Sequence, residues 1–261
     1  MTRPKSRRSL VVAIAAAPLL LALVGTAISL PAGPASAQGG TCTTYNQYFD
    51  GYQHNNTTGY GARMNTRHVS PVVCGAAGTS SVWSMITDGT GTDFAQSGEL
   101  MNAAWSTTTV YYFTECGLCD NTDGSIQTSA PVNKGAVGQQ SNSSYNDEYS
   151  SWFTPSTGVT TQQIAPANDP TLTSNLNTYS VMLFTPSEYD FYGEVHYPES
   201  QMPGITSNHD VLSSIQGLSS PGGSWVTQTP AMMQPIYDTF PYGGYTSYGS
   251  NGSFGIWDTR D

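Results

Sequence analysis

Three stretches close together in the chain decide the fold: Ser81–Thr87 (SVWSMIT), Asp93–Gly98 (DFAQSG) and Val110–Thr114 (VYYFT). The first and third are rich in β-branched and aromatic residues, which suit a pleated, half-buried backbone. Asp88-Gly89 follows the first stretch and is a strong turn signal. Together, 81–115 reads as three successive antiparallel strands. Alternation then assigns faces: Phe94, Gln96 and Gly98 share one side of the second strand.

Similar signals recur on both sides. Residues 38–60 are polar and rich in Tyr, Asn and Gly, and read as an N-terminal arm or edge strand. Val69–Val73 is a short apolar stretch interrupted by Pro71. Residues 117–150 predict long loops with room for one strand. Thr178–Thr185 (TYSVMLFT) predicts a buried strand, with apolar residues on both faces. Tyr189–Tyr197 (YDFYGEVHY) predicts another, with Tyr192, Glu194 and His196 on one side and Phe191, Gly193, Val195 and Tyr197 on the other. Residues 208–218 (NHDVLSSIQGL) are the best helical candidate. Asn208 or Ser207 would cap it, and Val211, Leu212, Ile215 and Leu218 fall at helical spacing. Residues 221–253 are loop-rich, and Phe254–Trp257 makes a closing strand. Many short strands with turn signals and little helix predict an all-β fold. The expected form is a two-sheet antiparallel sandwich of the concanavalin-like jelly-roll kind, with at most one or two short helices.

The N-terminus carries an export signature. Arg3, Lys5, Arg7 and Arg8 precede an uncharged apolar run from Leu10 to Leu23, and Ala35-Ser36-Ala37 offers an A-x-A cleavage site. The uncharged stretch continues past Leu23 to roughly the 18 residues or more that a spanning helix needs, so an uncleaved anchor is the rival. The A-x-A site and the polar, Gly-rich sequence beyond it favour cleavage. The expected organisation is a signal peptide at 1–37 and one domain at 38–261, secreted from the cell. Cleavage leaves four basic and 18 acidic residues, a net charge of −14. Such a surface repels phosphate backbones and argues against nucleic-acid partners. The expected partner is an extracellular polypeptide or glycan. No membrane association is expected after cleavage, and the chain is expected to be a monomer.

Cys42, Cys74, Cys116 and Cys119 all lie beyond the signal. An even count in an exported chain favours disulfides. Of three pairings, Cys42–Cys74 with Cys116–Cys119 is expected, the second closing a small loop. A redox C-x-x-C would normally open a helix in a βαβ unit, and none is visible. A zinc site needs further ligands at suitable spacing, and the four His are scattered. No cofactor and no metal are therefore expected. Gly-rich phosphate loops, H-E-x-x-H and G-x-S-x-G are absent from the sequence.

Two polar residues interrupt otherwise apolar strands: Gln96 and Glu194. A carboxylate in an aromatic strand is costly to bury without partners. The plain reading places both on the exposed face of half-buried strands. A second reading places them in a groove. Val-Trp-Ser-Met-Ile-Thr-Asp-Gly, Asp-Phe-Ala-Gln-Ser-Gly and Val-Tyr-Tyr-Phe-Thr-Glu resemble the strand series of the glutamic peptidases, the eqolisin family. Gln96 matches that family's catalytic Gln, and Glu194 is the best match for its catalytic Glu. The chain departs from the family in lacking a Trp-Tyr-Glu-Trp run and a second acid after Glu194. It also resembles a group of secreted actinobacterial proteins that share the Ala-Gln-x-Gly strand and the segment from Gly193 to Gly204.

The peptidase resemblance implies a Gln/Glu dyad. Glu194 would be the general base that takes a proton from water and later returns it to the leaving amine. Gln96 would donate to the oxyanion. Trp83, Tyr112, Tyr192 and His196 are the expected substrate-binding residues, although His196, which shares the face of Glu194 and could tune its carboxylate, reads better as a bystander. Pro198–Gly204 (PESQMPG) reads as a tight turn or a groove rim. Two other classes compete. A non-catalytic lectin-like module would stack glycans on Tyr111, Tyr112, Trp105, Tyr192 and Tyr197. A glycoside hydrolase would need two carboxylates about 5–9 Å apart. Glu194 with Glu115 is the candidate pair, although Glu115 beside Cys116 reads more as a strand-end residue.

Overall fold

The computed structural model describes residues 41–54, 58–67, 71–90, 92–121, 130–137, 146–166, 174–205, 208–237 and 242–260. The expected signal peptide, Val69, Ser70 and the Ser207 cap lie outside them. The described strands are β1 (Gln47–His54), β2 (Gly61–Arg67), β3 (Thr79–Thr87), β4 (Phe94–Asn102), β5 (Tyr111–Gly117), β6 (Cys119–Asn121), β7 (Val132–Ala136), β8 (Asn146–Thr154) and β9 (Val159–Ala165). They continue as β10 (Leu176–Met182), β11 (Glu188–His196), β12 (Gly204–Ile205), β13 (Asn208–Leu218), β14 (Val226–Thr227), β15 (Gln234–Tyr237), β16 (Gly243–Tyr245) and β17 (Phe254–Asp258).

They form two sheets packed as a sandwich. The seven-stranded sheet runs β15-β1-β11-β3-β4-β5-β7. The ten-stranded sheet runs β16-β17-β12-β13-β2-β8-β9-β10-β6, with β14 on β13. Pairing is antiparallel except for one parallel bridge, Ile205 to Asp258. As expected, β3, β4 and β5 are successive neighbours. Gly89 takes φ +82 in the turn after β3, a conformation that favours glycine. Cys42 pairs with Cys74, and Cys116 with Cys119.

The main core fills the space between the sheets. Phe191, Val195, Ile86, Val82 and Met101 enter from one side; Met64, Tyr149, Ile164, Leu212, Ile215 and Ile256 enter from the other. A second apolar cluster lies on the opposite face of the seven-stranded sheet: Trp83, Met85, Leu100, Phe113 and Tyr192, flanked by Phe49, Phe94, Trp105 and Ile236. The central strands of this sheet are thus buried on both sides. β3 is enclosed over nearly its whole length.

Four expectations need correction. Residues 208–218 are β13, not a helix, and no helix occurs among the described residues. The pairing of β13 with β2 shifts between Ser213 and Gln216, and Ser214 takes φ +52. This bulge brings both Leu212 and Ile215 inward, three residues apart. A bulge inserts an extra residue and so breaks the period of two. The resulting spacing imitates a helix. β1 is not an edge strand: it lies between β11 and β15. The polar stretch 117–150 holds β6, β7 and the start of β8, besides the last residue of β5. β10 is not buried on both faces: Tyr179 is exposed, and Leu183, also exposed, lies beyond the strand end.

Candidate active site

A groove of about 410 Å³ lies over the second apolar cluster, on the face of the seven-stranded sheet turned away from its partner. Strand register explains which side chains reach it. Gln53, Asp190, Met85, Gln96 and Glu115 form one row across β1, β11, β3, β4 and β5. Phe49, Glu194, Ser81 and Leu100 form a parallel row. Tyr192, Trp83 and Phe113 lie between the two, with Gly98 beneath Trp83. A Cβ on Gly98 would stand 2.8 Å from Trp83 Cβ and 2.0 Å from Val82 O, so glycine permits this close approach.

Gln96 and Glu194 therefore share the groove, two strands and four residues apart. Each is held by different partners. Glu194 accepts from the Trp83 indole N–H at 2.9 Å and from the Gln47 amide at 3.2 Å. His196 Nε2 lies 2.8 Å from Oε1, the oxygen that Gln47 also reaches, while Trp83 holds Oε2. His196 is thus in direct contact with Glu194 rather than a bystander. Trp83 is itself set edge-on against Tyr192, with ring centroids 4.9 Å apart. Tyr45 packs edge-on against His196 at 5.3 Å.

Gln96 is buried, and its amide donates to Glu115 Oε2 at 2.8 Å. Glu115 lies within β5 and lines the groove, so it is not merely a strand-end residue. Burial pushes its carboxyl up to about 7. The Glu194 charge adds to the rise, whereas the Gln96 bond and His196 oppose it. From the opposite sheet, the fully buried Gln162 on β9 reaches both backbones. Its amide donates to Gln96 O at 2.7 Å and to Glu115 O at 2.6 Å.

The far end of the groove is also acidic. Burial drives Asp190 well above the ordinary carboxyl range, and neighbouring Glu188 adds to this. The Tyr192 hydroxyl lies 3.0 Å from Gln53 Oε1 and 3.2 Å from Asp190 Oδ1. Glu115, Glu188, Asp190 and Glu194 line the groove, with neither Lys nor Arg among the described lining residues.

Of the other expected substrate-binding residues, Trp83, Tyr192 and His196 line the groove. Tyr112 does not. It projects from the opposite face of β5 into the inter-sheet core, where its hydroxyl donates to Asp147 at 2.6 Å. Sequence reasoning did not single out Gln47, Asp190 or Gln162. Asp190 could have been found, since it shares the parity of Tyr192 and Glu194.

Comparison with solved structures then places this architecture. Scytalido-glutamic peptidase bound to a transition-state analogue inhibitor superposes with a TM-score of 0.58 at 10% identity, covering 83% of this chain and 100% of that one. The fold is glutamic peptidase-like. The same peptidase with a peptide-based transition-state analogue gives 0.56 at 11% identity, with the same coverage. SCP-B, a member of the eqolisin family in complex with the tripeptide Ala-Ile-His, gives 0.52 at 10% identity, again over 83% and 100%. No protein-family model and no curated protein matches the sequence.

Proposed function

We propose that this chain is a secreted, acid-active endopeptidase that hydrolyses peptide bonds in the groove, with Glu194 as general base and Gln96 as oxyanion donor. One observation carries the reading: both side chains open into a single groove on a sheet with the glutamic peptidase-like fold. Glu194 acts as acceptor toward Trp83 and Gln47, which orients the carboxylate for a water on its groove side. The Gln96 amide has two N–H bonds. One is directed at Glu115, and the second remains for the developing oxyanion. Water attacks the carbonyl carbon, Glu194 takes a proton from it, and the tetrahedral oxyanion is held by Gln96. Collapse breaks the C–N bond as a proton reaches the departing nitrogen, and an amine and a carboxylic acid are released. The two disulfides support work outside the cell.

The test is proteolysis of an unfolded protein by the purified mature chain over about pH 3–7, where carboxyl groups titrate. Glu194→Gln and Gln96→Ala are run beside it. Cleavage that peaks in acid, resists a chelator and is lost in both variants supports the reading. A folded wild-type chain that cleaves nothing at any pH overturns it.

A further inference from the structure

We infer that Glu115 is a second catalytic carboxyl of this site, the general acid that protonates the leaving amine. The inference rests on the peptidase reading above and adds a residue to it. Glu115 faces the groove from β5, in the same row as Gln96. Gln96 engages Oε2, so Oε1 is the oxygen that can hold a proton for substrate. Gln162 anchors the Glu115 backbone from behind, which fixes the carboxyl on rigid strands rather than on a loop.

The groups that act on Glu115 are few. From β4 comes the neutral Gln96 amide; from β11 come Glu194, whose charge opposes ionisation, and His196, which favours it. Tyr45 senses the Glu115 charge from the N-terminal segment. Burial and the Glu194 charge together keep Glu115 protonated until about pH 7. One groove thus holds two carboxyls in unlike settings, an arrangement that separates base from acid.

The step balances. A C–O bond forms from water to the carbonyl carbon, and the water proton passes to Glu194. As the C–N bond breaks, the Glu115 proton passes to the departing nitrogen. Glu194 then releases its proton to solvent, rather than returning it to the amine as the resemblance implies, and Glu115 takes one up. The net reaction is addition of one water across the amide.

The experiment compares two substrates with the same acyl peptide: an amide, and a p-nitrophenyl ester whose leaving group needs no proton. Both require the base and the oxyanion donor, but only the amide requires the acid. In Glu115→Gln, kcat/KM for the amide is expected to fall about 100-fold or more, while ester hydrolysis stays within about threefold of wild type. In wild type, the amide profile is expected to lose activity through about pH 7, following Glu115, and the ester profile is not. Equal losses on both substrates, in a variant that melts like wild type, overturn the inference and make Glu115 a positioning residue for Gln96. Unchanged amide cleavage also overturns it. Should Glu115→Gln melt low, the two wild-type profiles decide: a shared alkaline limb, or none on either substrate, sinks the inference. A wild type that hydrolyses neither substrate fails at the earlier step and removes the peptidase reading along with this one.

Discussion

The Glu194 and Glu115 neighbourhoods share a groove but surround a carboxyl group with different partners. Around Glu194, an indole N–H, an amide and an imidazole converge on one carboxylate. Around Glu115, Gln96 is the donor among the described residues, and burial outweighs it. The donors fix the direction in which the Glu194 carboxylate faces, whereas burial disfavours charge on Glu115. Two copies of the same side chain on one sheet thus acquire different chemistry from their neighbours.

Removing one side of this contrast has the largest expected effect. Glu194→Gln should lower kcat/KM by roughly 10²–10⁴-fold, the usual worth of a general base. It should also lower the Glu115 titration from about 7, because the charge that raises it is gone. Carboxyl carbon NMR of the variant checks this, and an unmoved Glu115 would show that the two sites do not communicate.

A third carboxyl extends the comparison into the core. Asp50 is buried between the sheets, and its Oδ2 has no hydrogen-bond partner among the described residues. Burial first, then the Asp258 charge, pushes it up to about 7 from an ordinary 3.8. Its folded-state pKa is raised, so the folded chain holds a proton that the unfolded chain has lost between those values. Stability contributed by this proton is complete below about pH 4 and declines as pH rises to about 7. The decline should be on the order of a few kcal/mol. Urea melts of Asp50→Asn between pH 4 and 7 should show a flatter dependence than wild type. An equally steep curve would assign the proton elsewhere.

Trp83→Phe keeps an aromatic ring against Tyr192 but deletes the N–H that holds Glu194. Loss of one hydrogen bond to a charged group, about 1.5–3 kcal/mol, should lower kcat/KM by about ten- to a hundredfold, and the smaller ring should also lower the melting temperature because Trp83 is buried. The smallest effect is expected from His196→Ala. It removes a group that lowers Glu115, so the Glu115 titration should rise slightly above 7. A fall would reverse the proposed electrostatics.

The strand series 81–115 was legible because its apolar runs, its Asp-Gly turn and its alternation agree. The faces of β4 and β11 followed from parity alone. Parity does not, however, relate one strand to another. That Gln96 lies opposite Glu115, which puts Tyr112 on the other face, is a matter of register. Register here depends on residues far apart in the chain, so Tyr112 was assigned to the groove and Glu115 to a strand end. The bulge in β13 defeated periodicity for a related reason, since one inserted residue turned a spacing of two into three. Gln162 left no trace: Thr-Thr-Gln-Gln-Ile-Ala is an ordinary half-polar strand until the second sheet is packed against it.

That glutamine ties the groove to the sheet on the far side of the core. Its single amide bridges the backbones of two neighbouring strands just beneath Gln96 and Glu115. Damage on the remote side of the molecule can therefore reach the chemistry with every groove side chain intact. A chain altered at this position can keep its shape and disulfides and still present a slack site, so a survey of groove residues alone would overlook the cause.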